Sequence, residues 1–347
     1  MLPVHYELTV AASLDAQPRY HLTTMHAASN QAESAALRTL LRSLGQVVLQ
    51  PNAFTGACLL AAWLICDPRL ACAALTGAIA ANIGALLAGY CEKDARDGLH
   101  GFNGALAGLA AYTLVPNEAT SAALAILAGF STAWLLQPWS RWLQARGLVV
   151  YSSPCLIVTW FWLPFVNGGP AAAPASHIAP LALLPAGALS GLAQAGFAYG
   201  ALPGLLVLGG IAVSSRRHAM WALAGSVIGG GALLLLGASP ASFDAGLCGF
   251  NGALTAIALA ESTCGAVLCG ILLSVGLQLL ARQAGLPVMT APFVLATWSV
   301  QRLMRQRTAN DPSRAADQRT TAGARRKVDQ KNAANPRRTA PTATRTG

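Results

Sequence analysis

The residues able to handle a solute come in two matching sets. Gly98-Leu-His-Gly-Phe-Asn-Gly-Ala-Leu106 recurs as Gly246-Leu-Cys-Gly-Phe-Asn-Gly-Ala-Leu254, eight of nine positions agreeing at an offset of 148 residues. At the same offset Ser43-Leu-Gly-Gln46-Val-Val-Leu49 aligns with Gly191-Leu-Ala-Gln194-Ala-Gly-Phe197, and at an offset of 138 Gly147-Leu-Val-Val-Tyr-Ser152-Ser-Pro154 aligns with Gly285-Leu-Pro-Val-Met-Thr290-Ala-Pro292. Each half therefore supplies a glutamine, an aliphatic or aromatic residue three positions later, a Phe-Asn-Gly unit and a hydroxyl before x-Pro. None of the three elements contains a carboxylate. Such residues offer hydrogen bonds and apolar contact to a neutral molecule. They do not offer the ionisable groups of acid–base catalysis or an activated nucleophile.

The ionisable candidates lie elsewhere: Glu92, Asp94, Asp97, His100, Asp244 and Glu261. The first three fall in the short connection Cys91–Asp97, and Asp244 stands at the equivalent approach to the second Phe-Asn-Gly unit. Glu261 ends an apolar run and is expected to cap the next helix at Ser262–Thr263. No H-E-x-x-H, paired-Asp motif or nucleophile elbow occurs, which argues against an enzyme. Eight cysteines form no C-x-x-C pair, so Cys58, Cys66, Cys72, Cys155, Cys264 and Cys269 read as small packing residues and no metal or cofactor is implied. His100 is the one plausible proton-relay residue in a repeated element, and Cys248 replaces it in the other half. That asymmetry argues against a paired relay in an ion-coupled carrier, the rival to passive transport, while a single His suits a pH response.

The elements that must position these residues are apolar helices. The chain is 54% hydrophobic and 10% charged, against roughly 25% charged in soluble domains. Candidate spans in the first half are 54–65, 71–89, 101–115, 121–136 and 147–166. The second half gives 202–213, 220–237, 249–260, 265–280 and 286–300. Before each set comes a more polar helix-like stretch, 33–50 and 181–199, read as a re-entrant helix, which is tolerated at membrane depth only where protein or a solvated cavity surrounds it. The fold expected is an all-α integral membrane protein of about ten spans in two five-helix repeats. An odd number of spans per half inverts the second repeat, and a pseudo-two-fold axis then brings the matching elements together near mid-membrane.

The domains expected are an N-terminal cytoplasmic segment 1–32, a first repeat 33–166, an extracytoplasmic linker 167–180, a second repeat 181–300 and a disordered basic tail 301–347. The N-terminal segment lacks the basic start and apolar run of a secretory signal. The tail holds twelve Lys or Arg against three Asp or Glu, and so nine of the ten net positive charges. It reads as a solvated cytoplasmic tail that meets anionic lipid rather than nucleic acid.

The same residues resemble the urea transporter family. The match is strongest in Gly285-Leu-Pro-Val-Met-Thr-Ala-Pro-Phe-Val-Leu-Ala-Thr-Trp298, which looks like that family's C-terminal motif. The two Gly-Phe-Asn-Gly-x-Leu units and Gly45-Gln46-Val-Val-Leu-Gln50-x-Asn52 fit as well, and the resemblance spans about residues 33–300. It implies two inverted five-span repeats, a pore through each protomer, a homotrimer, and passive channel-like passage of urea or a related small amide. It implies that Gln46 and Gln194 lie on two short pore helices whose carbonyl oxygens form ladders for amide hydrogens. Leu49, Phe102 and Leu106 would line one narrow slot, and Phe197, Phe250 and Leu254 the other. Ser152 and Thr290 would provide a central hydroxyl from each half, while Asn103 and Asn251 brace the backbone. Two departures stand out. Tyr199 and Pro203 occupy the positions of Pro51 and Thr55, leaving the geometry of the second pore helix open, and Ser152 stands where the family usually has Thr. The short, Ala-rich chain suggests a bacterial inner membrane.

Overall fold

In a computed structural model the described residues are 35–90, 97–166 and 184–309, and every regular element among them is helical. The expectations for residues 1–32, Glu92, Asp94, the link 167–180 and the tail beyond Ala309 lie outside them. The chain divides into two units, Met1–Trp298 and Ser299–Gly347. Among the described residues the first unit carries every helix except the C-terminal turns of the last, which belong to the second.

Helix α1 covers residues 35–46, followed by α2 (Ala53–Cys66), α3 (Pro68–Leu87), α4 (Gly101–Leu114), α5 (Glu118–Gln144) and α6 (Ser153–Trp162). The second half repeats the series as α7 (Leu184–Gln194), α8 (Ala201–Ser214), α9 (Arg216–Leu235), a short α10 (Pro240–Asp244), α11 (Phe250–Ala258), α12 (Cys264–Gln283) and α13 (Ala291–Ala309). Local chemistry fixes several starts. Asn52 accepts from the Phe54 and Thr55 amides at 2.8 and 3.3 Å. Asp67 caps α3, with Pro68 inside its first turn, and Asn117 caps α5. Thr263 caps α12 by accepting from the Ala266 amide. Glu261 therefore is not that cap. It pairs instead with Arg217 at 3.1 Å and lies 3.5 Å from His218 Nε2.

Among the described residues four helices, α3, α5, α9 and α12, have the length and apolarity to cross a membrane, whereas α2, α8 and the stretch Ser153–Phe165 are shorter. Twenty residues rise about 30 Å, the thickness of the hydrocarbon core. Two expected spans are also shortened at their starts. Residues 147–152 and 286–290 are not helical, because Gly147, Tyr151, Gly285 and Met289 all adopt positive φ and a proline follows in each stretch.

Within each half three helices pack tightly: α3, α4 and α5 in the first, and α9, α11 and α12 in the second. Glycine permits the approach. A Cβ on Gly77 would overlap Gly104 O, and one on Gly225 would overlap the equivalent Gly252 O. Between the halves, α2 packs on α8, its counterpart at the 148-residue offset. Thr55 Oγ1 near the start of α2 donates to Gly210 O near the end of α8 at 2.8 Å, and Cys66 Sγ at the end of α2 donates to Tyr199 O before α8 begins. The two equivalent helices therefore run antiparallel.

Candidate functional site

The duplication seen in the letters extends to rare backbone geometry. Among the described residues the non-glycine positions with positive φ are Leu49 (61°), Tyr151 (45°), Phe197 (61°) and Met289 (41°), which are two pairs at offsets of 148 and 138. Leu and Phe avoid this region by roughly 1–2 kcal/mol, so the surrounding turn must hold them there. At the end of α1, Leu49 N donates to Gln46 O at 2.8 Å, while Val48 N and Gln50 N converge on Gly45 O. At the end of α7, Phe197 N donates to Gln194 O at 3.0 Å, while Gly196 N and Ala198 N converge on Ala193 O. The two tips are thus the same turn despite Tyr199 and Pro203. The close approach beyond them is kept too, since a Cβ on Gly56 would meet Leu41 O and one on Gly204 would meet Leu189 O.

Each Phe-Asn-Gly unit is tied to its hydroxyl-bearing turn by the asparagine. Asn103 Nδ2 donates to Tyr151 O at 3.2 Å, and its Oδ1 accepts from Cys155 N at 3.1 Å. Asn251 Nδ2 donates to Met289 O at 3.2 Å, and its Oδ1 accepts from Phe293 N at 3.2 Å. Both asparagines are buried. They serve backbone groups that interrupted helices would otherwise strand away from water. In the second half Gln278 joins the network, its Oε1 accepting from Asn251 Nδ2 and its Nε2 donating to Leu247 O.

These braces bring the two turns together. Ser152 Oγ lies 2.8 Å from Thr290 Oγ1, so one hydroxyl donates to the other across the halves. Only 4% of Ser152 and 8% of Thr290 are exposed. Two tryptophans exchange reciprocal bonds around the pair: Trp160 Nε1 donates to Pro287 O at 3.3 Å, and Trp298 Nε1 donates to Val149 O at 2.7 Å. A two-fold exchange of the halves converts one bond into the other, because both donors and both acceptors are 138 residues apart.

The apolar candidates share one contact cluster. Phe102, Leu106, Phe250 and Leu254 are buried, and Leu49 and Phe197 are partly buried against them. Gln194, Phe197, Phe250 and Thr290 line one cavity of about 420 Å³. A second cavity of about 430 Å³ also reaches Phe197 and is lined by Tyr199, Asp67, Arg69, Tyr112 and Glu118. Gln46 donates through Nε2 to Asp97 O at 3.3 Å, a bond that leaves its own amide oxygen unused. Among the described residues no group of three or more His, Cys, Asp or Glu is arranged to hold a metal.

Several charged side chains pair with one another. At the α2–α3 junction the Arg69 guanidinium bonded to Asp67 holds that carboxyl below its ordinary range, and Arg69 reaches on to Glu118 at 3.3 Å. Arg217 and Glu261 make the corresponding link in the second half. His100 is buried and packs on the Tyr90 ring at 5.5 Å between centroids. Sequence comparison between halves missed Gln278 and Arg282, because Ser140 and Gln144 stand at the 138-residue offset. The Trp160 and Trp298 pair carried a signal, being identical at the 138-residue offset.

The model of the urea transporter family matches residues 37–305. That stretch contains both helix tips, both asparagine braces and the hydroxyl pair. The chain therefore belongs to the urea transporter family and is a membrane transport protein.

Proposed function

We propose that the chain passes urea down its gradient through a channel-like pore, with two apolar slots in series separated by the Ser152–Thr290 pair. The observation that carries this reading is the contact of those hydroxyls at 2.8 Å, contributed by equivalent turns of the two halves. Urea is flat, neutral and small, with four N–H donors and one carbonyl acceptor. Leu49, Phe102 and Leu106 form one slot wall set, and Phe197, Phe250 and Leu254 the other. Apolar faces select a flat solute.

Along the slot edge, acceptors replace water's hydrogen bonds, without which stripping a polar group costs about several kcal/mol. The main-chain carbonyls of Gln46 and Gln194 each retain a lone pair after accepting the tip bond, and the side-chain oxygens of both residues add further acceptors. At the centre, one of the two hydroxyl protons is spent on the Ser152–Thr290 bond and the other remains for the solute. An uncharged slot gives a hydrated ion too little in return for its water, and several weak sites in series permit exit as well as entry.

The antiparallel α2 and α8 and the reciprocal tryptophan bonds support two inverted repeats. Homotrimeric assembly, a bacterial inner-membrane location and the ten-span count rest on the family resemblance and the sequence. Phe250→Ala tests the slot. Removing that wall is expected to raise the flux of N,N′-dimethylurea relative to urea by at least severalfold in proteoliposomes. If discrimination and flux both stay at wild-type values, Phe250 is outside the filter.

A further inference from the structure

The cavity before Phe197 and Phe250 holds a cation with no anion to match it. Arg282, at the C-terminal end of α12, lines it together with Gln194, Gln278 and Thr290. Its guanidinium donates to Leu247 O at 3.3 Å and also reaches the Cys248 thiol. A guanidinium has five N–H donors and stays charged at any working pH, so most of its capacity is unspent. Among the described residues no carboxylate forms an ion pair with Arg282; Asp67, Glu118 and Glu261 pair with Arg69, Arg217 and His218, and neither Asp97 nor Asp244 lies within ion-pair distance of Arg282. The rest of the lining is largely apolar, with Phe197, Phe250 and Met289 among it. At the 138-residue offset of the adjoining glycine turns, where Gly147 N donates to Gln144 O as Gly285 N does to Arg282 O, the first half carries the uncharged Gln144.

A cation beside apolar walls attracts an anion more strongly than it would in water. The planar guanidinium fork suits a planar group that presents two oxygens. We propose that this cavity binds a small planar monovalent oxyanion, of the nitrate or short-carboxylate class, on the Arg282 guanidinium. Nitrate has the same flat, three-armed outline as urea. It therefore fits where urea would wait, but its charge finds no compensation in the apolar slot beyond. The bound anion is then a plug. That inhibitory consequence rests on the urea-channel reading, whereas the binding itself does not.

Two readouts separate them. The purified full-length protein is melted in sodium nitrate and in sodium chloride at equal concentrations, as wild type, Arg282→Gln and Arg282→Lys. Wild type is expected to gain a saturable stabilisation in nitrate, as ligand mass action requires. Arg282→Lys should keep part of the gain and Arg282→Gln none. Equal responses in wild type and a folded Arg282→Gln overturn the site. If Arg282→Gln does not fold, the wild type decides alone: a saturable response supports the site, and one that never saturates is a general salt effect and overturns it.

The second readout is urea entry into proteoliposomes. Nitrate is expected to halve wild-type flux at its own dissociation constant and to leave Arg282→Gln flux unchanged relative to chloride. Nitrate stabilisation without any effect on urea flux would keep the anion site and remove this cavity from the path of urea.

Discussion

Asn103 and Asn251 show how little chemistry is needed to hold an irregular backbone in the protein interior. Each side chain satisfies one carbonyl and one amide of the turn that presents the central hydroxyl. Asn251 also bonds Gln278 Oε1 at 3.1 Å. Asn251→Ala strands the Met289 carbonyl and the Phe293 amide in the interior and removes the partner of Gln278. Buried unsatisfied groups cost about 1–3 kcal/mol each, and the substitution is expected to lower unfolding free energy by roughly 2–4 kcal/mol. Denaturant titration in detergent micelles measures this, and an unchanged midpoint would mean that the brace is redundant.

The residues that carry this part of the site were legible because they are duplicated: glutamine, Phe-Asn-Gly and hydroxyl recur at fixed offsets. Arg282 and Gln278 were not, since each occurs in one half only. A polar residue on an apolar helix shows its role only when the facing loop is known, and here that loop is the turn at Leu247.

At the scale of elements, charge ties the α2–α3 junction to the start of α5. Asp67 caps α3, bonds Arg69 and accepts from Tyr112 Oη at 2.9 Å. Its carboxyl is held below the ordinary value of 3.8, chiefly by the Arg69 hydrogen bond. A carboxyl depressed in the folded state contributes stability that is full above its unfolded value and is lost as pH falls through the folded value. The melting temperature of the wild type should therefore drop as pH falls below 3.8, and more steeply than that of Asp67→Asn, in which the asparagine keeps the cap but cannot titrate. Parallel pH profiles would show that the ion pair adds nothing.

Sequence found these elements well where apolar letters were continuous, as at α4, α2 and α8, whose limits differ from the expected ones by one residue. It failed where helices begin late. Runs 147–166 and 286–300 are uncharged and largely apolar, yet positive φ at Gly147, Tyr151, Gly285 and Met289 delays each helix to Ser153 and Ala291. Hydropathy does not report backbone geometry, and the non-helical turns run from exposed Val149 and Leu286 into buried Ser152 and Thr290.

At the scale of the molecule, the two halves are copies with different charged fittings. Identical tips end α1 and α7, antiparallel α2 and α8 join the halves, and the Ser152–Thr290 and Trp160–Trp298 contacts relate one half to the other. The proposed pair of near-symmetric slots, with no ionisable group at the Ser152–Thr290 contact, would suit movement of a neutral solute in either direction, driven only by its own gradient. The halves differ, with Arg282 lining the cavity at Phe197 and Phe250 and the uncharged Gln144 at the 138-residue offset in the first half. The most direct test is urea flux into proteoliposomes by stopped-flow light scattering, with and without a transmembrane pH or sodium gradient. Fast equilibration at the same rate in every case is the predicted result. A requirement for either gradient, or no urea flux from verified folded protein, would contradict the channel account.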